Sequence, residues 1–316
     1  MSRRPVSLAD SGLVVVDKPA GMTSHDVVSV LRRAFHTRRV GHSGTLDPAA
    51  TGVLVVGIER GTKLLPFLLQ ESKSYQATIV IGQATSTEDA EGEVCATDAP
   101  ELLDALTETQ LHDAAAQFIG DSQQVPSAVS AIKVQGVRAY ERVRRGESVE
   151  LAARPIHVDE FSLSDIHRTP EGWWQLNAMV SCSAGTYVRA LARDLAARVG
   201  LHAHLAALRR TRVGAFDLSW AQPLEKYKAA IDAGERAHLT LDLDTATCMG
   251  RDTRHLSAEE ATKVALGQRI APAGLPGIYA GVDPEGHTIA LLEETFAKAD
   301  PGTVRSVFVA RPATLQ

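Results

Sequence analysis

Gly41-His42-Ser43-Gly44-Thr45-Leu46-Asp47-Pro48-Ala49-Ala50-Thr51-Gly52 is the stretch from which the rest of the chain is read. It sets one carboxylate among three glycines, directly after an apolar residue and directly before a proline. Glycine permits positive φ and close approach of the backbone to a ligand. Proline drives the residue before it out of helical space into an extended conformation. The loop is therefore shaped to present a single acid at a set angle. An isolated Asp-Pro is an ordinary turn dipeptide. Here the apolar run Val53-Leu54-Val55-Val56 follows at once and reads as a strand that anchors the loop in a core. Asp47 is accordingly the first candidate for chemistry.

Working outward, Leu13-Val14-Val15-Val16 reads as a buried strand. Residues 24–35 read as an amphipathic helix capped by Thr23 or Ser24, with Val27, Val28, Val30, Leu31 and Phe35 on one face. A short helix is expected around residues 63–69. Residues 75–81 alternate as a strand does: Tyr75, Ala77, Ile79 and Ile81 face one way, Gln76, Thr78 and Val80 the other. Thr107-x-x-Gln110 has the form of a capping box opening a helix to Phe118. Residues 154–166 and 173–182 read as long strands joined by the turn residues Pro170, Glu171 and Gly172. Residues 187–199 read as a helix with Val188, Leu191, Ala192 and Leu195 on its apolar side. Strands and helices mix without a regular β-α-β repeat, so the expected class is α+β. The organisation changes between residues 224 and 251. Beyond it come a second capping box, Ser257-x-x-Glu260, and short apolar strands at 278–280, 289–292 and 304–309. The expected domains are residues 1–245 and a small β-rich module, residues 250–316.

At 316 residues the chain can bury a sizeable core. Hydrophobic content of 44% and a mean hydropathy of −0.06 describe a globular protein without a membrane-spanning run. No secretory apolar stretch follows Met1-Ser2-Arg3-Arg4-Pro5. Cys95, Cys182 and Cys248 are far apart and fit reduced thiols in a cytoplasm. None of the eleven histidines falls in a metal-ligand spacing, so no metal is expected. The net charge of −5 counts against a nucleic-acid partner, but the average conceals three arginine groups. These are Arg32, Arg33, Arg38 and Arg39; Arg138, Arg142, Arg144 and Arg145; and Arg209, Arg210 and Arg212. Each reads either as a solvated face or as a phosphate-binding surface, for which arginine's planar fork is suited.

The stretch Gly-His-x-Gly-x-Leu-Asp-Pro-x-Ala-Thr-Gly resembles the active-site motif of the bacterial tRNA pseudouridine-55 synthases, the TruB family of uridine isomerases. Further segments match in order. They are Asp17-Lys18-Pro19-x-Gly21-Met22-Thr23-Ser24, Lys63-Leu64, Ser74-Tyr75 and the acidic stretch from Thr85 to Gly92. Pro126-Ser127 through Ser130-Ala131-x-Lys133 with Tyr140, Cys182-Ser183-x-Gly185-Thr186-Tyr187-Val188-Arg189 and Leu208-Arg209-Arg210 complete the series. The resemblance implies a mixed sheet flanked by helices with a central active-site cleft, plus a PUA-like RNA-binding C-terminal module. It implies a monomer that modifies the T-loop of tRNA without cofactor, guide RNA, protein partner or membrane.

Isomerising uridine breaks a C–N glycosidic bond, turns the base and rejoins it through carbon, and a carboxylate is suited to carry that step. By resemblance Asp47 is that group, acting as nucleophile on the sugar or in an elimination. Arg189 is its cationic partner, which keeps the acid ionised in a pocket that would otherwise raise its pKa. Tyr75 stacks on the base and accepts a proton. Asp89 belongs to the same charge network, although relatives carry an acid where this chain has Ser86. Tyr187 and Leu208 wall the pocket, Lys63 backs the loop, and Lys133 lies on the RNA side. His42 occupies the space left by a flipped nucleotide or hydrogen-bonds the loop backbone. A P-loop is excluded, because Gly57-Ile58-Glu59-Arg60-Gly61-Thr62-Lys63 lacks its spacing. A paired-carboxylate hydrolase lacks a convincing second acid. A non-catalytic RNA-folding chaperone and the guide-RNA-dependent branch of the superfamily stand as the rival readings.

Overall fold

The computed structural model describes residues 8–130, 132–134, 136–147, 149–295 and 302–315, with residues 133, 134, 138, 140, 143, 144 and 315 as backbone alone. The chain divides into two compact units: residues 1–48, 52–69 and 214–316, and residues 49–51 and 70–213. No helix among the described residues is long and apolar enough to cross a membrane.

In the first unit the strand Gly12–Lys18 is buried almost throughout, as its unbroken apolar run requires. It pairs antiparallel with Thr51–Ile58, register Val14 to Val56 and Val16 to Leu54, and parallel with Gln222–Pro223. Val40–His42 also pairs with Thr51–Ile58. The helix Ser24–Ala34 is opened by a capping box in which Thr23 and Asp26 satisfy each other's backbone N–H groups. Its Val27, Leu31 and Ala34 pack with Val14, Val16, Val56 and the Tyr227 of a second helix, Leu224–Asp232. The expected short helix around 63–69 is divided: a 3₁₀ turn, Glu59–Lys63, precedes the α-helix Leu65–Leu69.

The same unit carries a four-stranded sheet in the order Thr253–His255, Ile278–Val282, Thr288–Thr295, Thr303–Val309, with the helix Ala258–Ala265 against it. Ser257 and Glu260 form the expected capping box. This sheet is fastened to the rest of the unit by polar contacts. Arg60 donates to the carbonyls of Val309 and Ala310 and lies 5.9 Å from the Phe308 ring centroid. Arg311 meets the Asp244 carboxylate through Nε (3.2 Å) and Nη2 (2.5 Å), and the Thr288 N–H donates to the same carboxylate at 3.1 Å.

In the second unit five antiparallel strands lie in the order Ala203–Val213, Lys73–Ile81, Trp174–Cys182, Arg154–Arg168, Gly120–Gln124. The predicted alternation of the Tyr75 strand holds: Tyr75, Ala77, Ile79 and Ile81 are all buried. They pack with the helices Glu108–Ala116 and Val188–Arg198, the first opened by the Thr107–Gln110 capping box. The class is α+β, with mixed and antiparallel sheets flanked by helices.

Candidate active site

Asp47 lies in the first unit, and the backbone on both sides of it is tied down. Ser24, buried at the start of its helix, accepts a hydrogen bond from the Leu46 N–H at 2.9 Å and donates one to the Leu46 carbonyl at 3.2 Å. The Pro48 carbonyl accepts from the Gly21 N–H at 2.9 Å and from the Lys18 ammonium at 3.1 Å. Lys18 is fully buried and donates also to the carbonyls of Pro19 (2.9 Å) and Met22 (2.5 Å). The Ser43 N–H donates to the Val55 carbonyl at 2.8 Å, which returns the loop to its strand. Gly44 (φ +85°) and Gly52 (φ +100°) occupy the left-handed backbone region that side chains avoid. The half-buried Asp47 is thus carried between two pinned neighbours, so little ordering remains to be done when a substrate arrives.

His42 ends the strand Val40–His42, half-buried. Lys63, expected to back the loop, is exposed at the end of its 3₁₀ turn, and no hydrogen bond or ion pair of its ammonium is found among the described residues. Lys18 supports the loop from the interior. Its burial follows from its place at the end of an apolar strand, three carbonyls replacing the water it gives up.

Tyr75, Asp89, Arg189, Tyr187 and Leu208 belong to the second unit. Tyr75 is 8% exposed and lies opposite Val180 on one side and Arg210 on the other. Arg210 is 1% exposed. Burial pushes its pKa down, while the charge and hydrogen bond of the Tyr75 phenol push it up. For Arg210 the reading as part of a solvated or phosphate-binding face is corrected here, while Arg209 and Arg212 are half-buried. Arg210 is interior, Arg212 Nε donates to Ser74 Oγ at 3.1 Å, and Arg209 donates to Thr51 Oγ1 at 3.3 Å. A strand with a buried apolar face turns alternate residues inward whatever their charge, and an inward arginine then needs interior partners.

Lys73, also on this inward face, is 6% exposed. Burial first, then the Arg210 charge, bring its pKa down to about 8, against the attraction of Cys182 and Glu71. Its ammonium donates to the Glu71 carbonyl at 2.7 Å. Cys182, opposite Lys73 on the next strand, is pushed up to about 11 by burial, with a Thr186 hydrogen bond opposing. It is an inert interior thiol.

Arg189 is the second residue of its helix and is 5% exposed. Nη1 donates to the Thr87 carbonyl at 2.7 Å and to Ser127 Oγ at 3.4 Å, and Nη2 donates to the Val129 carbonyl at 2.8 Å. The Asp89 carboxylate forms an ion pair with Arg189 at 3.6 Å, so the expected association of these two residues is present. Tyr187 caps the same helix. The buried Gln124 brackets it, accepting from its N–H at 2.9 Å and donating to its carbonyl at 3.1 Å. Leu208 is half-buried against the core. The side chains of Lys133, Tyr140 and Arg144 lie outside the described residues. Asp283, Glu285 and His287 cluster on a turn of the C-terminal sheet, but the Asp283 carboxylate is already used there by the N–H groups of Glu285 and His287.

Comparison with known proteins gives the family. The model of the TruB family pseudouridylate synthase N-terminal domain matches residues 32–188. That of the tRNA pseudouridine synthase II C-terminal region matches residues 252–311. The chain is 49% identical over 309 residues to tRNA pseudouridine synthase B of Corynebacterium diphtheriae, covering 98% of this chain and 99% of that one. It is 52% identical over 309 residues, with the same coverage, to tRNA pseudouridine synthase B of Mycobacteroides abscessus. The crystal structure of a Cbf5-Nop10-Gar1 complex shares the fold, with a TM-score of 0.71 at 21% identity over 99% of this chain and 89% of that one. With half its residues shared along almost its whole length, the chain belongs to the TruB family of pseudouridylate synthases.

Proposed function

We propose that this protein isomerises uridine to pseudouridine in the T-loop of tRNA, at position 55. The observation that carries the mechanism is the pinning of Leu46 and Pro48, which presents Asp47 in one orientation. The target nucleotide leaves its stack, at a cost of a few kcal/mol that a loop keeps small. Asp47 serves as the reacting carboxylate, either attacking the sugar or assisting elimination. The bond between the sugar carbon and the base nitrogen breaks, the base turns, and a bond forms between the same sugar carbon and a ring carbon, whose proton is lost while the freed nitrogen gains one. No atom is gained or lost, so no co-reactant is needed. Tyr75 stacks on the base and serves as the proton acceptor, a role that the cationic Arg210 at its hydroxyl favours by stabilising negative charge there. Arg189 supplies the positive charge that keeps a carboxylate ionised, and His42, Tyr187 and Leu208 shape the space around the flipped base. Residues 250–316 serve as an RNA-binding module, and the protein acts in the cytoplasm as a monomer, without guide RNA or protein partner.

The test is incubation of the purified protein with an unmodified tRNA transcript and nothing else, followed by mapping of pseudouridine. One pseudouridine per tRNA, at position 55, is expected. Modification that depends on an added guide RNA, or that maps elsewhere, overturns the reading.

A further inference from the structure

The helix Val188–Arg198 carries a second arginine one turn beyond Arg189. Residues four apart on a helix share a face, and Arg193 grips the same two chain segments as Arg189. Its Nη1 donates to the Glu88 carboxylate at 2.6 Å and its Nη2 to the Val125 carbonyl at 2.8 Å. Arg189 reaches the Thr87 carbonyl and Asp89 on one side, and Ser127 and the Val129 carbonyl on the other. The two guanidinium groups are rungs between residues 87–89 and residues 125–129. Arg193 Nε also meets Asp194 at 2.8 Å, so its charge is shared by two carboxylates.

Glu88 is held in an unfavourable conformation. Its φ is +62°, in the left-handed region that a residue with a side chain occupies only at a cost. Its carbonyl accepts from the Leu205 N–H at 3.0 Å, and the next peptide continues the pairing, with the Ala90 N–H donating to the Leu205 carbonyl at 2.9 Å. The Glu88–Arg193 pair is the side-chain anchor of this strained corner, with the two side chains 18% and 32% exposed.

The Asp89 carboxylate is fastened within its own turn, accepting from the Thr87 hydroxyl and from the Glu91 N–H at 3.1 Å. Its 3.6 Å separation from Arg189 is longer than a hydrogen bond and is set by where the turn as a whole rests on the helix. The turn is placed by its backbone pairing with Leu205, by Arg189 on the Thr87 carbonyl and, through a side chain, by Arg193 on Glu88. We propose that Glu88 and Arg193 form a positioning pair for the isomerisation, holding the turn so that Asp89 meets Arg189. This rests on the function proposed above, in which Arg189 serves the reacting carboxylate.

The experiment measures single-turnover pseudouridine formation, tRNA affinity and melting temperature for Glu88→Gln, Arg193→Ala, Arg193→Lys, Asp89→Asn and the Glu88→Gln/Asp89→Asn double variant. Glu88→Gln is expected to slow the reaction roughly five- to tenfold while tRNA affinity stays within about twofold of wild type. Arg193→Lys, which keeps a cation for Glu88, should recover most of the rate lost in Arg193→Ala. In the Asp89→Asn background, Glu88→Gln should slow the reaction by less than about twofold further, because its effect runs through Asp89. A wild-type rate in Glu88→Gln, or losses that multiply independently in the double variant and track the melting temperature, overturns the pair. Failure of the wild-type protein to form pseudouridine in the same assay would instead count against the activity itself.

Discussion

The loop that carries Asp47 and the turn that carries Asp89 each present one acid, and they are held by different means. Around Asp47 the restraints are hydrogen bonds to the backbone of Leu46 and Pro48, and the charged donor among them, Lys18, is fully buried. Around Asp89 backbone bonds to Leu205 are joined by guanidinium groups acting from a helix, one of them a third exposed. Backbone bonds inside a core are short-ranged and indifferent to salt. Partly exposed ion pairs depend on geometry and solvent and are worth little individually. The acid proposed to react is thus held through its neighbours' backbone, and the acid that serves the charge network by a mixture of backbone bonds and ion pairs, of which the Glu88–Arg193 pair is the more adjustable part.

The largest effect that would break this contrast is that of Asp47→Asn. Deleting the charge while keeping the shape should slow single-turnover pseudouridine formation by about 10⁴-fold or more, ~5.5 kcal/mol. The melting temperature and tRNA affinity should stay near those of wild type, because the bonds to Leu46 and Pro48 are left intact by the substitution. A large fall in melting temperature would show that the carboxylate holds its own loop. Next is Lys18→Met, which keeps the apolar stem, takes the ammonium from the Pro19 and Met22 carbonyls and leaves the Pro48 carbonyl with the Gly21 N–H. A loss of about 3 kcal/mol in urea unfolding is expected, with turnover falling as the loop slackens. A loss under about 1 kcal/mol would mean that water replaces the ammonium and that the loop is less closely built than its distances imply.

The smallest effect sharpens the contrast through pH. Lys73 loses its proton near pH 8 in the folded protein and near its ordinary 10.5 when unfolded. Between those values the unfolded chain binds more protons, so folding gains stability as pH rises through that window. Below pH 8 both states are protonated, and the cost of burying the charge is present in full. Compared with Lys73→Met, the wild type should therefore gain about 2 kcal/mol between pH 7 and pH 10 in denaturant titrations. Parallel curves for the two proteins would mean that Lys73 titrates as an ordinary surface lysine.

Signals that act over a few residues were legible in the sequence. The Asp47 loop announces itself by its glycines and proline, and the structure places Gly44 and Gly52 at positive φ. The capping boxes at Thr107 and Ser257 form as their spacing predicts, and so does the buried face of the Tyr75 strand. The strand Ala203–Val213 was not legible as one. Irregularities between Leu205 and Ala207 and between Arg210 and Arg212 break its alternation, and one of its inward residues is an arginine. In a sequence, Arg210 looks like its half-buried neighbours Arg209 and Arg212. Only pairing with a strand some 130 residues earlier turns it toward Tyr75. Arg193 and Glu88 are hidden for the same reason: each resembles a solvated surface charge until the fold brings their segments together. Lys18 stood within a recognised motif, yet its burial depends on carbonyls that the loop contributes from Pro48.

The fastening of the C-terminal sheet bears on how this protein can be taken apart. Cutting the chain near residue 250 would leave Arg60 without the Val309 and Ala310 carbonyls, and Asp244 without Arg311. Both groups sit in partly dry surroundings, where an orphaned charge is costly. The C-terminal sheet is therefore not freely exchangeable between relatives. A graft would have to bring its own acceptors for Arg60 and its own cation for Asp244, and a truncated catalytic fragment would need both residues replaced by neutral ones.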